Sequence, residues 1–178
     1  AHMGGGCTTG ALSHGKMIDM FNGLDGDGAF APTRSGAVPV GDLIRLCYSG
    51  KYATVDEMMK RAVGDAGIAA YLGTADMREV NKMIENGDEN AKLVKEAFIY
   101  QHAKDIGSLS VVMKGKVDAI LLTGGIAYGK DITDAIASYT EWIAPVVVIP
   151  GEREMIALAQ GALRVLNGEE EAKEYEAW

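Results

Sequence analysis

At 178 residues, 48% hydrophobic and 24% charged, the sequence is that of one globular domain with a sizeable core. A net charge of −8 with no basic stripe argues against nucleic acid as a partner, and the longest apolar runs are strand-length, too short for a membrane span. Cys7 and Cys47 lie far apart without metal-type spacing and read as reduced thiols; with no leader-like segment before the first motif, the expected location is the cytoplasm.

From Cys7 the pattern is hairpin-like: CTTGAL, a turn at SHG, then KMIDMF. The long glycine-rich loop NGLDGDGAFAPTRSG follows, a composition more often functional than merely connecting. Pro39 and Val40 lead into the helix DLIRLCYSG, with Gly50 as its stop. Thr54 and Glu57 form a capping box ahead of VDEMMKRAV. GIAAYLGTADMREVNKMIENG gives a short apolar piece and then a helix expected to be capped at Thr74. GDENAKLVKEAFIYQHAKDIGSLSVVMKG is the longest helical stretch, with Leu93, Val94, Ala97, Phe98, Gln101 and Ile106 close to one face. VDAILLTGG and PVVVIPG read as buried strands, KDITDAIASYTEW and EMIALAQGALRVLNG as helices, and GEEEAKEYEAW as an acidic tail. Fully apolar strands alternating with helices predict an α/β domain whose sheet is covered on both faces, the strands ending at Gly124 and Pro150.

Several short motifs invite a chemical reading. Gly10 to Lys16 and Gly124 to Lys130 both fit G-x-x-x-x-G-K, but Met17 and Asp131 stand where a phosphate loop needs a metal-binding hydroxyl. The first match also lies inside a hairpin, and a carboxylate at the second would repel phosphate. The Gly4-Gly5-Gly6 turn followed by Thr8 and Thr9 is more pointed, because glycine amides approach an anion closely and hydroxyls add donors. LDGDG opens like a calcium loop, yet its twelfth position is Gly36 rather than glutamate, leaving Asp25 and Asp27 as polar loop residues. Arg34 in TRSG has the fork geometry for a carboxylate or phosphate. Asp76 and Arg78 stand at a helix start, His14 and His102 read as structural or solvated, and neither cysteine has a base nearby in sequence.

In this order, the GGG turn, the TRSG loop, T-x-D-x-R and a strand ending in TGGI resemble the C-terminal half of the short-chain carboxylate kinases, the acetate and propionate kinase superfamily. GLDGDGAFAPTRSG, PVGDLIRLCYSGKY, AYLGTADMREVNKMIENGD, VDAILLTGGIAYGK and IAPVVVIPGEREMIALAQGALRVLNGE are most similar to its butyrate-kinase branch, over His2 to about Glu176. The resemblance implies a ribonuclease-H-like, actin-like ATPase domain of the ASKHA type, with a mixed sheet flanked by helices. It implies transfer of the γ-phosphoryl of ATP, with Mg2+, to butyrate, giving butyryl phosphate and ADP reversibly. Acetate, propionate or isobutyrate as acceptor, or a non-catalytic ATP-binding or dimerisation module, stay open as alternatives.

Residue by residue, the resemblance puts His2 and Arg34 at the transferring phosphoryl group. Gly4, Gly5 and Gly6 correspond to the second phosphate loop, Asp76, Met77 and Arg78 to the nucleoside lining, and Gly124, Gly125 and Ile126 to the adenosine loop. Glu154 is the metal-linked carboxylate, with Glu152 as the competing assignment. Residues 1–178 then form a single C-terminal nucleotide-binding domain, the N-terminal domain of the two-domain kinase lying outside the chain. Ala1-His2-Met3 is either a cloning scar or the end of a strand left incompletely paired, which would invite association. The implied partners are ATP or ADP, a short-chain carboxylate or its acyl phosphate, and a second copy in a homodimer, with no nucleic acid or membrane.

Overall fold

A computed structural model describes residues 1–174 of the chain, so the end of the acidic run lies outside them. The glycine triplet joins two short antiparallel strands, β1 (His2–Met3) and β2 (Cys7–Thr8). The predicted hairpin follows as β3 (Gly10–Ser13) and β4 (Lys16–Met20), closed by His14 and Gly15 at φ 51° and 75°, the left-handed pair that a tight two-residue turn demands.

Seven α-helices come next in the described chain: α1 (Val40–Cys47), α2 (Val55–Val63), α3 (Gly67–Leu72), α4 (Met77–Glu85), α5 (Glu89–Ser110), α6 (Lys130–Thr140) and α7 (Glu154–Leu166). Between α5 and α7 run β5 (Ile120–Gly124) and β6 (Val146–Pro150), parallel and in register from Ile120↔Val146 to Gly124↔Pro150. The strands therefore end where the sequence predicts. The sheet order is β2-β1-β5-β6, with β1 parallel to β5 and β2 antiparallel to β1. His2–Met3 is thus an interior strand with neighbours on both sides, and the sheet ends at β2 and β6. The unpaired edge expected at the first strand is not there.

The core lies between the sheet and α3 to α6, built from Met3, Phe30, Ile68, Val80, Phe98, Leu122, Ile132 and Ile136. The long helix meets it through Ala91, Val94, Phe98, Ile99, His102, Ala103, Ile106 and Leu109. Leu93, predicted on that face, is 63% exposed, because the buried stripe is phased on Ala91 and Val94 and turns Leu93 outward. His102 belongs to the core: its Nδ1 donates to the Phe98 carbonyl at 2.9 Å, its ring packs on Phe98, and burial pulls its pKa down to about 4.

Two other expectations change. α4 is capped by Asp76, whose carboxylate accepts from Arg78 N at 2.9 Å; Thr74 instead braces the cap, accepting from Asp76 N and donating to Glu79. The sheet is not covered on both faces. Ile120 and Leu122 of β5 are buried but Leu121 is exposed, Val147, Val148 and Ile149 of β6 are 41–46% exposed, and α7 buries none of its residues. An apolar run records a strand that wants cover on two sides; the helices seated in the described chain supply one.

Candidate functional site

The site gathers at the carboxyl ends of the parallel strands, the usual location for a ligand crevice in an open α/β sheet. His2 pairs with Thr123, and Thr123 with Ile149, so the last residues of β1, β5 and β6 come level. Past these ends lie the Gly4–Gly6 turn, the loop after Gly124, and Gly151-Glu152.

The glycine turn is tightened by a Gly4 N to Gly6 O hydrogen bond of 3.0 Å. On one flank the Arg34 guanidinium lies against Gly6 so closely that a Cβ there would sit 2.4 Å from its Cζ and Nη1. Thr33, beside it, donates its hydroxyl to Gly5 O at 3.3 Å. On the other flank are His2 and Glu152: a Cβ on Gly4 would meet Glu152 Oε1 at 3.2 Å and His2 Nε2 at 3.3 Å. His2 Nε2 and Glu152 Oε1 are 3.5 Å apart and both half exposed. A cation, an imidazole and a carboxylate thus bracket one bare backbone turn. Glu154, in the first turn of α7, makes no hydrogen bond or ion pair within the described residues; Glu152 is the carboxylate delivered to His2.

Gly124 and Gly125 turn out to serve different purposes. Gly124 has φ 91° and ψ 175°, and a Cβ on it would strike the Met3 backbone, 2.4 Å from its carbonyl oxygen. Its lack of a side chain lets β5 close on β1. It also exchanges backbone hydrogen bonds with Gly151, at 3.2 and 3.0 Å, which fixes where Glu152 emerges. A Cβ on Gly125 would meet nothing within 4 Å, so its face is the open one. Residues Gly125–Tyr128 form a 3-10 turn whose Ile126 is partly buried against the core.

At the start of α4, Arg78 turns back onto the Asp76 carboxylate, with Nε at 3.0 and 3.1 Å from its two oxygens. That hydrogen bonding holds Asp76 down at about 2, so it is a carboxylate at any working pH. The Met77 side chain is spent in the core, leaving only its backbone and neighbours toward the surface.

α4 is tied to α5 and to the start of α6. Asp131 accepts from Asn81 at 3.2 Å and from Lys95, whose ammonium also reaches Asn81 Oδ1 at 2.7 Å. Burial alone would raise the Asp131 pKa, but the Lys95 hydrogen bond and charge and the Asn81 amide outweigh it and pull it below the carboxylate range. This explains the failed phosphate-loop match: Asp131 is a structural acceptor, and Lys130 pairs with Asp134 one turn along α6. The LDGDG carboxylates likewise hold their own loop, Asp25 binding Asn22 Nδ2 and Asp27 the amides of Asn22 and Gly28.

Among the described residues no three His, Cys, Asp or Glu side chains converge as metal ligands. Mg2+ that travels with nucleotide phosphates needs only one or two protein carboxylates, and Glu152 is one that could supply such a ligand. Cys7 is buried with its thiol pushed up to about 12 by desolvation, which removes it as a nucleophile. No helix among the described residues is long and apolar enough to cross a membrane.

The α/β fold, a mixed sheet flanked by helices, is of the ASKHA type. The structure overlays an acetate kinase from Porphyromonas gingivalis with a TM-score of 0.82 at 22% identity, covering 93% of this chain and 48% of that one. The Acetokinase family profile matches residues 1–141, and the chain belongs to that family. It is 56% identical over 175 residues to "Butyrate kinase 2" of Clostridium acetobutylicum and 53% identical over 174 to a "Probable butyrate kinase" of Clostridium botulinum. Each match covers 98% of this chain and 49% of the relative, so the chain spans about half the length of the curated relatives it matches.

Of the residues singled out from sequence, His2, Gly4, Gly5, Gly6, Arg34 and Glu152 are brought together, with Gly124, Gly125 and Ile126 on the adjoining strand end. Asp76 and Arg78 form a separate pair at the start of α4. Thr33 was missed, although its place beside Arg34 was the available signal.

Proposed function

We propose that this chain is the nucleotide-binding half of an ATP-dependent carboxylate kinase whose acceptor is butyrate. The observation that carries the reading is the Arg34 guanidinium seated on Gly6, with His2 and Glu152 on the opposite flank of the same turn. Phosphoryl transfer asks little covalent chemistry of a protein; it asks for alignment and for fixed charge facing the group in flight. Backbone amides of Gly4 to Gly6 receive the terminal phosphates, Gly125 gives the adenosine a flat approach, and Asp76 and Arg78 line the nucleoside. Arg34 faces the oxygens of the transferring phosphoryl as the bond to the β-phosphate oxygen breaks and the bond to the carboxylate oxygen forms. His2 donates to the same group, held in place by Glu152. Mg2+ bound with the nucleotide would offset phosphate charge; Glu154 or Glu152 would be the carboxylate that holds it, and the nearness of Glu152 to His2 supports the second.

The choice of butyrate rests on the two relatives above 50% identity, not on the geometry. In this reading the acyl pocket lies largely in sequence outside this chain, and the complete kinase is a cytoplasmic homodimer. The test is Arg34→Ala in the complete kinase. A cation that acts in the transition state is worth about a hundredfold or more in kcat, with little change in ATP affinity. Unchanged kcat for butyryl phosphate formation would remove Arg34 from the mechanism.

A further inference from the structure

Arg34 sits at the tip of a loop closed on itself: Ala37 N donates to Gly28 O at 2.8 Å and Ala31 N to Arg34 O at 3.0 Å. The amides that open α3 meet its outer carbonyls, Ala66 N to Thr33 O at 3.2 Å and Ala69 N to Pro32 O at 2.9 Å. The root of the loop is gripped from elsewhere. On α5, Asp105 Oδ2 accepts from Ala29 N at 2.7 Å and Gln101 Oε1 from Phe30 N at 3.4 Å. The two side chains are one helical turn apart and meet consecutive backbone amides, so the helix presents a matched pair of acceptors to the loop.

A half-buried carboxylate among core residues is costly unless something requires it. Among the described residues Asp105 makes no ion pair, and its hydrogen-bond partner is the Ala29 amide. α5 is also the longest and best-anchored helix in the described chain, with Phe98, His102 and Ile106 buried on either side of these two residues. A loop tied to it inherits its rigidity. We propose that Asp105, assisted by Gln101, is a positioning residue for phosphoryl transfer, fixing the loop root so that the Arg34 guanidinium stays seated on Gly6. The inference rests on the kinase reading above and adds Asp105, which no motif in the chain marks.

In the complete kinase, Asp105→Ala should lower kcat about tenfold while the KM for ATP moves less than about twofold, because a guanidinium displaced by a fraction of an ångström loses alignment more than binding. Asp105→Asn should stay within about twofold of wild type, since its amide oxygen still accepts from Ala29 N. In an Arg34→Ala background, Asp105→Ala should cost less than about twofold more, the non-additivity expected when one residue acts through another. A purely structural role would lower activity equally in both backgrounds, and that result overturns the proposal, as does wild-type kcat in Asp105→Ala. If circular dichroism shows Asp105→Ala unfolded, Gln101→Ala carries the same measurements. Wild-type protein that forms no acyl phosphate overturns the kinase reading and this proposal together; wild-type turnover with an unaffected Asp105→Ala overturns this proposal alone.

Discussion

Gly124 and Gly125 are adjacent, chemically identical and read from sequence as one motif, yet the structure gives them opposite sensitivities. Alanine at 124 places a side chain in a backbone region, φ 91° and ψ 175°, that is essentially reserved for glycine and costs about 1–3 kcal/mol. Its Cβ would also lie 2.4 Å from Met3 O and 2.7 Å from Met3 C, backbone atoms that cannot rotate away. Overpacking of that kind adds about 1–3 kcal/mol. The sum, roughly 2–6 kcal/mol, corresponds to a fall in Tm on the order of 10 °C for a domain of this size. A Cβ at 125 meets nothing within 4 Å, so with valine there stability should stay within about 0.5 kcal/mol of wild type. In the proposed kinase reading, its side chain would instead fill the space through which the nucleoside approaches. Thermal melts paired with calorimetric ATP titration separate the two: Gly124→Ala loses stability, whereas Gly125→Val loses ATP affinity at unchanged Tm. Equal ATP affinity in Gly125→Val would refute the adenosine-loop assignment, and a wild-type melt for Gly124→Ala would refute the clash.

Lys95→Met should remove the brace between α4 and α6 at a cost of about 1 kcal/mol, the low figure allowing for the solvent exposure of Asp131. Because Asp131 has a folded pKa below its unfolded value, the brace contributes fully above about pH 4 and fades as pH falls through the folded pKa; acid unfolding curves should converge for wild type and variant at low pH. Iodoacetamide on the native chain should label exposed Cys47 and spare buried Cys7, read by peptide mass spectrometry; labelling of both would contradict the burial. In the proposed reading, part of the site lies in sequence outside this chain, so the chain by itself should form no acyl phosphate from butyrate, ATP and Mg2+ in a coupled ADP assay, effective molarity collapsing when part of the site is missing. Turnover matching that of a complete kinase would show this half to be sufficient.

What was legible in the sequence follows what is local. The His14-Gly15 turn, the cap at Thr54, and the glycine and proline that end β5 and β6 are set by neighbours within a few residues. The Arg34 loop was identified as functional from composition, but the partner that holds it was not. Asp105 lies 76 residues from Ala29, and no periodicity links a helix carboxylate to a distant loop amide. Asp131 misled for the same reason: its partners are on α4 and α5, so within its own motif it looked like a defect. Leu93 was misplaced because a long helix with apolar residues around much of its circumference has no sharp face to read.

One failed expectation, burial of the sheet on both sides, leads to the last prediction. β6 leaves Val147, Val148 and Ile149 in partial contact with water, and α7 exposes Met155, Ile156, Leu158, Leu163 and Leu166 by 53–80%. Met155, Leu158, Ala162 and Leu166 recur at helical spacing, which is how a helix is written to lie on an apolar surface rather than in solvent. Covering a large aliphatic side chain is worth about 1.5–3 kcal/mol, so a surface with several of them uncovered favours any arrangement that hides it. The chain alone should therefore self-associate in the micromolar range and bind a hydrophobic dye. Replacing Met155 and Leu158 together with lysine should reduce both without lowering Tm, because neither residue contributes to the core. Light scattering across a concentration series decides it: a monomer at every concentration, with no dye binding, would mean that α7 and β6 tolerate water as they stand and that their apolar pattern is not an unfinished interface.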